Sequence, residues 1–379
     1  MQKKIKIAYI INHLSFFCSH ILPLADEAKK KGYEIEVFCG IGGSIQMEKL
    51  AHKTIKKKNI KYSKFNFKPG AENIFFELYY AVKLFYSVYL FKPDLVHAIS
   101  IKGILYSSLY SFLFKPRKLI LFITGMGYFF TNKLNFFEKI LKLFILKIIK
   151  FSLNKNNSIL VLENTDDLNF FTNQQKVSKK KILKLPGAGV DLKKYNYSEK
   201  NKKNIVLFPA RILKEKGIEE FYKAAEKLSF KFNNWLFLIA GTRDYKKNNT
   251  GSKILLLKNR EKIKFLGHVE KMYKLFNKTS IVCLPSYREG FPKSLIEACA
   301  SGCAIVTTNV PGCREAVKKN KNAFLVEPKD HVNLTENLKK LILNKKKRKY
   351  FSKNSRNLAN KEYDIGKFIN ANIKEYQRI

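Results

Sequence analysis

Short runs of consecutive apolar residues alternate along the chain with longer stretches whose apolar positions recur at helical spacing. Ile5–Ile11, broken only by Lys6, predicts a first β-strand, and Phe17 to Lys31 predicts a helix that Gly32 ends. Further strands are expected at Glu34–Cys39, Asp94–Ala98, Leu119–Ile123, Ser158–Leu162 and Ile182–Leu185, with helices between them. Lys193 to Asn204 is polar and rich in Lys and Asn, which predicts a linker. The alternation then restarts, with strands at Ile205–Pro209, Leu236–Ala240, Ile263–Leu266, Ile281–Pro285 and Ala304–Thr308 and a helix from Gly217 to Leu228. Continuous apolar strands separated by helices predict an α/β chain of parallel sheets covered on both faces. The linker divides it into two Rossmann-like domains, at residues 1–195 and 203–362. Ligands of such sheets bind beyond the carboxyl ends of the strands, so an interdomain cleft is the expected substrate site.

The first apolar run is a strand and not a signal peptide, and no uninterrupted apolar window reaches the roughly 18 residues that a membrane span needs. The longest candidate, Leu119 to Asn132, is too short and contains Gly125 and Gly127. With 46% hydrophobic residues the chain has material for packed cores, and its 73 Lys and Arg against 30 Asp and Glu give a net charge of +43. That charge points to an acidic partner: nucleic acid, an anionic membrane surface or a phosphorylated substrate. No recognisable nucleic-acid-binding module accompanies it, so a basic nucleic-acid-binding protein is the distant alternative. The six Cys form no CxxC pair, and the six His show no ligand spacing. There is no Asp-x-Asp, no GxxxxGK[ST] and no GxGxxG after a strand. The expectation is a reduced chain with no bound metal and no dinucleotide cofactor.

Two strand exits carry the candidate chemistry. Pro209-Ala-Arg211-Ile-Leu-Lys-Glu-Lys216-Gly217 follows a strand and opens a helix. Arg211 and Lys216 across that loop can clamp a diphosphate above a helix N-terminus. The second stretch is Pro285-Ser-Tyr-Arg-Glu289-Gly290-Phe291-Pro292-Lys293-Ser294-Leu295-Ile-Glu297-Ala. Pro292 suits the first turn of a helix, whose amides near Ser294 favour an anion, and Glu297 can accept sugar hydroxyls.

These pieces resemble the retaining glycosyltransferases of family 4, which have the GT-B architecture. Ala210-Arg211 with Lys216-Gly217, Ala240-Gly241, Phe265-Leu-Gly267, the Glu289 and Glu297 pair within SYREGFPKSLIEA, and Pro311-Gly-Cys-Arg-Glu315-Ala carry the resemblance in the second half. Pro186-Gly-Ala-Gly-Val-Asp191 carries it in the first. The resemblance implies that Arg211 and Lys216 bind the diphosphate of a UDP-sugar donor, that Glu297 holds the ribose and that Glu289 contacts the donor sugar. Gly241 and residues Gly290, Phe291, Pro292, Lys293, Ser294 and Leu295 complete the implied donor site. It also implies catalysis with no metal and no cofactor beyond the nucleotide sugar, and a terminal helix at 363–379 crossing back onto the first domain.

Thr124-Gly125-Met-Gly127-Tyr128, Glu163-Asn-Thr-Asp-Asp and Gly241-Thr-Arg-Asp244 are similar to the branch that builds bacterial lipid-linked glycans. Its members that add N-acetylgalactosamine to undecaprenyl-diphosphate sugars, as in bacterial N-glycan assembly, look especially similar. The implied acceptor is therefore a polyprenyl-diphosphate-linked saccharide, with lipopolysaccharide core or a soluble sugar as the alternative. His20, His97, Gly125 and Gly127 are the candidate acceptor-side residues. Phe137–Leu153 has Lys139, Lys142, Lys147 and Lys150 within one helical arc among Ile, Leu and Phe, the pattern of an interfacial helix on anionic headgroups. The aromatic-rich segment Phe75–Phe91 extends the patch, so a peripheral position on the inner face of the cytoplasmic membrane is expected. An ordinary covering helix of a Rossmann domain is the other reading of Phe137–Leu153. Leu341–Lys353 reads as a solvated helix surface.

Overall fold

The apolar runs become the inner strands of two parallel sheets. The computed structural model describes residues 4–42, 45–65, 74–126, 134–155, 157–243, 257 and 260–379. Of the residues singled out above, Gly127, Tyr128, Asn132 and Asp244 lie outside the described ones. The chain divides into two compact units, 1–188 with 368–379, and 189–367.

The first unit holds β1 (Lys6–Ile11), β2 (Glu34–Gly40), β3 (Lys61–Phe65), β4 (Leu95–Ile99), β5 (Lys118–Ile123), β6 (Ser158–Leu162) and β7 (Ile182–Lys184), in the spatial order β3-β2-β1-β4-β5-β6-β7. Its helices include α1 (Leu22–Lys30), α2 (Ile45–Lys57), α3 (Ile74–Phe91), α4 (Ser100–Phe114) and α5 (Phe136–Lys155). Alternate side chains of β1 serve opposite faces, as the pleat requires. Ile7, Tyr9 and Ile11 pack with α1 and α2. Ala8 and Ile10 pack with α3, α4 and α5.

The second unit holds β8 (Lys203–Phe208), β9 (Leu236–Ala240), β10 (Ile263–Gly267), β11 (Thr279–Leu284), β12 (Ala304–Thr308) and β13 (Ala323–Val326), in the order β10-β9-β8-β11-β12-β13. With it come α6 (Ile218–Lys231), α7 (Lys293–Ala300), α8 (His331–Leu343) and α9 (Lys345–Leu358). Both sheets are parallel throughout, so each reverses its strand order once, between β1 and β4 and between β8 and β11. Such a reversal opens the crevice in which doubly wound sheets bind ligands.

The expected linker is packed structure. Arg356 donates to the carbonyls of Tyr195 (2.7 Å) and Leu192 (3.3 Å), and Lys202 donates to that of Thr279 (2.7 Å). Residues 189–195 accordingly belong to the second unit. The stretch Leu341–Lys353 is two helices, because Asn344 breaks it and its side chain caps α9 by accepting from the Lys347 amide. The last helix, α10 (Ile365–Tyr376), joins the first unit from Phe368 onward. There Glu375 forms a buried ion pair with Lys118 (3.0 Å).

Candidate functional site

The loop that leaves β8 is held by backbone contacts. The Ile212 amide donates to the Thr242 carbonyl (3.0 Å), and Gly241 sits so close to the Ala210 carbonyl that any Cβ would collide with it. The loop ends in a single turn at Lys214–Lys216 and then Gly217, whose φ of +73° and contact with the Pro285 carbonyl admit no side chain. Gly217 therefore ties the β8 exit to the β11 exit, across the strand-order reversal. Arg211 stands exposed on this loop.

The loop leaving β11 is held in turn. The hydroxyls of Thr307 and Thr308 donate to the carbonyls of Leu284 and Ser286, and the Tyr287 amide donates to the Glu215 carbonyl (2.9 Å). The Tyr287 hydroxyl donates to Glu220 (2.8 Å). Gly312, at φ +76°, lies against the carbonyls of Glu289 and Gly290 with no room for a Cβ. The result brings two predicted residues into contact. Lys216 Nζ reaches Glu289 Oε1 at 2.6 Å, and the Ser286 hydroxyl donates to the same oxygen at 2.8 Å.

Pro292 is the N-cap of α7 and not a residue of its first turn, with ψ at 112°. The helix presents Lys293 and, one turn later, Glu297, whose Oε1 accepts from the Tyr195 hydroxyl at 2.8 Å. Burial raises the Glu297 carboxyl above its ordinary range, and the Lys293 ammonium and the Tyr195 hydrogen bond oppose that. Burial also lowers Lys293, with Glu297 opposing. Ser294 is half-buried at the helix start, while Phe291 and Leu295 are buried in the core. The Phe291 ring packs on Tyr363 (5.8 Å), so these two residues can offer a ligand only their backbone. Arg211, Lys216, Gly241, Glu289, Lys293 and Glu297 thus share one end of the second sheet. It offers cations and helix-start amides for an anion and carboxylates for hydroxyls.

In the first unit the candidates separate. His97 lies inside β4, fully buried, and shares a hydrogen bond with the Tyr376 hydroxyl (2.7 Å), which also meets Tyr9 (3.0 Å). Burial pushes its pKa down to about 3, so it is a neutral core residue and not an acceptor contact. His20 is half-buried, stacked on Phe16 with centroids 4.0 Å apart and bonded to the Ser19 hydroxyl (2.7 Å). Gly125 adopts φ +136° just beyond β5.

On α5, Lys139, Lys147 and Lys150 are exposed, whereas Lys142 is half-buried over the Phe170 ring (6.0 Å). Most of the exposed large apolar side chains among the described residues lie on α3, α4 and α5, from Phe75 (78% exposed) to Phe137 (79%). Glu77 of α3 is turned inward, paired with Lys102 (2.7 Å) and accepting from the Tyr106 hydroxyl. No helix among the described residues is long and apolar enough to cross a membrane, and no cluster of His, Cys, Asp or Glu among them could hold a metal ion.

Residues 191–358 match the family model of glycosyl transferases group 1, and residues 6–163 match that of glycosyl transferase 4-like proteins. A curated relative from Campylobacter jejuni, N,N'-diacetylbacillosaminyl-diphospho-undecaprenol alpha-1,3-N-acetylgalactosaminyltransferase, is 30% identical over 271 residues, 68% of this chain and 69% of the relative. The chain belongs to the group 1 glycosyltransferases. It is a hexosyltransferase of the GT-B fold class. A second C. jejuni protein, an alpha-1,4-N-acetyl-D-galactosaminyltransferase acting on a GalNAc-containing diNAcBac-PP-undecaprenol, is 32% identical over 151 residues, 38% of this chain and 39% of that one. The fold of Anabaena HepE, crystallised with UDP and glucose, matches with a TM-score of 0.78 at 15% identity, over 99% of this chain and 100% of that one.

Two residues of this glycosyltransferase that touch the candidate acids lay outside the sequence reading. Ser286 sits three residues before Glu289 with its hydroxyl turned back on it. Tyr195 is 102 residues from Glu297, so no local spacing could reveal that contact.

Proposed function

We propose that this glycosyltransferase moves an N-acetylhexosamine from a UDP-sugar to an undecaprenyl-diphosphate-linked saccharide, at the inner face of the cytoplasmic membrane. Transfer retains the anomeric configuration and needs no metal ion. Arg211 and Lys216 hold the donor diphosphate, Glu297 the ribose and Glu289 the donor sugar, with the backbone from Gly290 to Leu295 as a cradle. Cleavage of the sugar–diphosphate bond leaves negative charge on the departing oxygen, and fixed cations with helix-start amides stabilise charge that develops there. Lys216 can serve a diphosphate because Ser286 keeps a hydrogen bond to Glu289 when the ammonium turns to the ligand.

The observation that carries the lipid-linked acceptor is the set of exposed apolar side chains on α3, α4 and α5, with Lys139, Lys147 and Lys150 exposed on α5. Exposed apolar side chains on neighbouring helices suit a binding surface, and exposed lysines on the same helix favour an anionic bilayer. The undecaprenol named in both C. jejuni relatives supports the same acceptor class. The experiment is a screen of UDP-hexoses and UDP-N-acetylhexosamines against a synthetic polyprenyl-diphosphate disaccharide, with the product linkage read by NMR. An α-linked N-acetylhexosamine is expected. Equal or better use of a lipid-free saccharide supports the soluble-acceptor alternative, and a β linkage refutes retention.

A further inference from the structure

The segment that carries Tyr195 is fixed more firmly than a connection needs. The Tyr195 amide donates to the Asp191 carbonyl (3.0 Å), and its ring meets Phe276 (5.9 Å between centroids) and Tyr273 (6.4 Å) edge-on. The Arg356 guanidinium donates from one nitrogen to the Tyr195 carbonyl (2.7 Å) and the Ala300 carbonyl (2.6 Å). Ala300 ends α7, the helix that carries Glu297. One cation therefore fastens Tyr195 to the same helix its hydroxyl addresses. That hydroxyl donates to Glu297 Oε1 at 2.8 Å.

We infer that Tyr195 is a positioning residue: it fixes the rotamer of Glu297 so that the free lone pairs of the carboxylate meet the vicinal hydroxyls of a nucleotide ribose. This rests on the assignment of Glu297 to the ribose. The two oxygens of a carboxylate offer about four lone-pair sites, and the Tyr195 hydroxyl takes one of those on Oε1. Two hydroxyls of a ribose can still bond bidentately, whereas a freely rotating carboxylate would lose that register. Burial and the neighbouring carboxylate hold the Tyr195 hydroxyl protonated, so it acts as a donor. Arg356 and the rings of Phe276 and Tyr273 supply the rigidity, so a single hydroxyl can be removed without moving the backbone. Tyr195 thereby contributes to discrimination of a ribonucleotide from a 2′-deoxyribonucleotide. A site built to bond a hydroxyl rejects the analogue that lacks it, because the partner is left unsatisfied.

The test is calorimetric binding of UDP and of 2′-deoxy-UDP to the wild-type protein and to Tyr195→Phe, with thermal melting alongside. The wild type should bind UDP more tightly than 2′-deoxy-UDP. Tyr195→Phe should bind UDP about tenfold more weakly, a loss of about 1.4 kcal/mol, with 2′-deoxy-UDP changed much less and the melting temperature near wild type. The ratio between the two nucleotides is the readout that a merely structural role would not move. A variant that keeps the wild-type ratio overturns the inference while the donor-site reading stands. Wild-type protein that binds neither nucleotide, or binds both equally, overturns the ribose assignment and the inference with it.

Discussion

Replacing Lys139, Lys147 and Lys150 together with glutamine tests where the apolar face of the first unit sits. All three ammonium groups are exposed on α5, beside exposed Phe136, Ile140 and Leu143. Lys142 is left alone because it leans over the Phe170 ring (6.0 Å) and its loss would mix packing with charge. Each basic residue held near an anionic surface contributes about 1 kcal/mol. Three removals should therefore weaken partition by about 3 kcal/mol, on the order of a hundredfold at about 1.4 kcal/mol per decade. The assay is co-sedimentation with vesicles containing phosphatidylglycerol, against vesicles of phosphatidylcholine alone, at low and high salt. High salt should shrink the difference, since the Debye length falls from about 10 Å at 0.1 M to about 3 Å at 1 M. On phosphatidylcholine the two proteins should bind alike and weakly. Wild-type binding by the triple variant on anionic vesicles, or a salt dependence unchanged by the substitutions, refutes the placement of this stripe against headgroups.

Glu289→Ala should abolish transfer while the melting curve stays near wild type; full activity refutes its assignment to the donor sugar. Glu375→Gln leaves Lys118 buried without its counter-charge. That should cost about 3–5 kcal/mol in chemical denaturation, far more than the double change Lys118→Met with Glu375→Leu, which should be close to neutral; equal losses contradict this. Gly312→Ala forces a methyl against the carbonyls of Glu289 and Gly290, so it should raise the KM for the donor, and an unchanged KM refutes it. His97 titrates at about 3 in the fold but near 6.5 when unfolded. Its contribution to stability is thus complete above about pH 6.5 and is lost as pH falls from there toward 3, by up to about 1.4 kcal/mol per pH unit. His97→Phe should flatten the dependence of unfolding free energy on pH in that window, and superimposable slopes contradict the account.

The inner strands were legible because continuous burial demands continuous apolar residues. β4, β5 and β11 are buried along their whole length. The two strands that the sequence pattern does not show are both edges, β3 with the sequence KYSKF and β13 with only four residues. An edge strand is half solvated and tolerates lysine, so its apolar signal can be weak, as in the two lysines of β3. The site loops were legible for a different reason. Gly217, Gly241 and Gly312 mark places where two backbones touch, and Lys216, Arg211 and Glu289 stand beside them in turn. His97 is equally compatible in sequence with a packed residue and an acceptor contact, and the structure buries it with Leu95, Val96, Ala98 and Ile99. The partner of its Nδ1 is Tyr376, far along the chain, as the partner of Glu297 is Tyr195.

The central claim is sugar transfer onto a lipid-linked acceptor. The most direct test follows labelled N-acetylhexosamine from its UDP conjugate into the organic-soluble product of a polyprenyl-diphosphate saccharide, in excess chelator. The account predicts label in the lipid phase with wild-type protein, undiminished by the chelator, and none with Arg211→Ala. Label that never leaves the aqueous phase, or that reaches the lipid only when a divalent metal is restored, contradicts it.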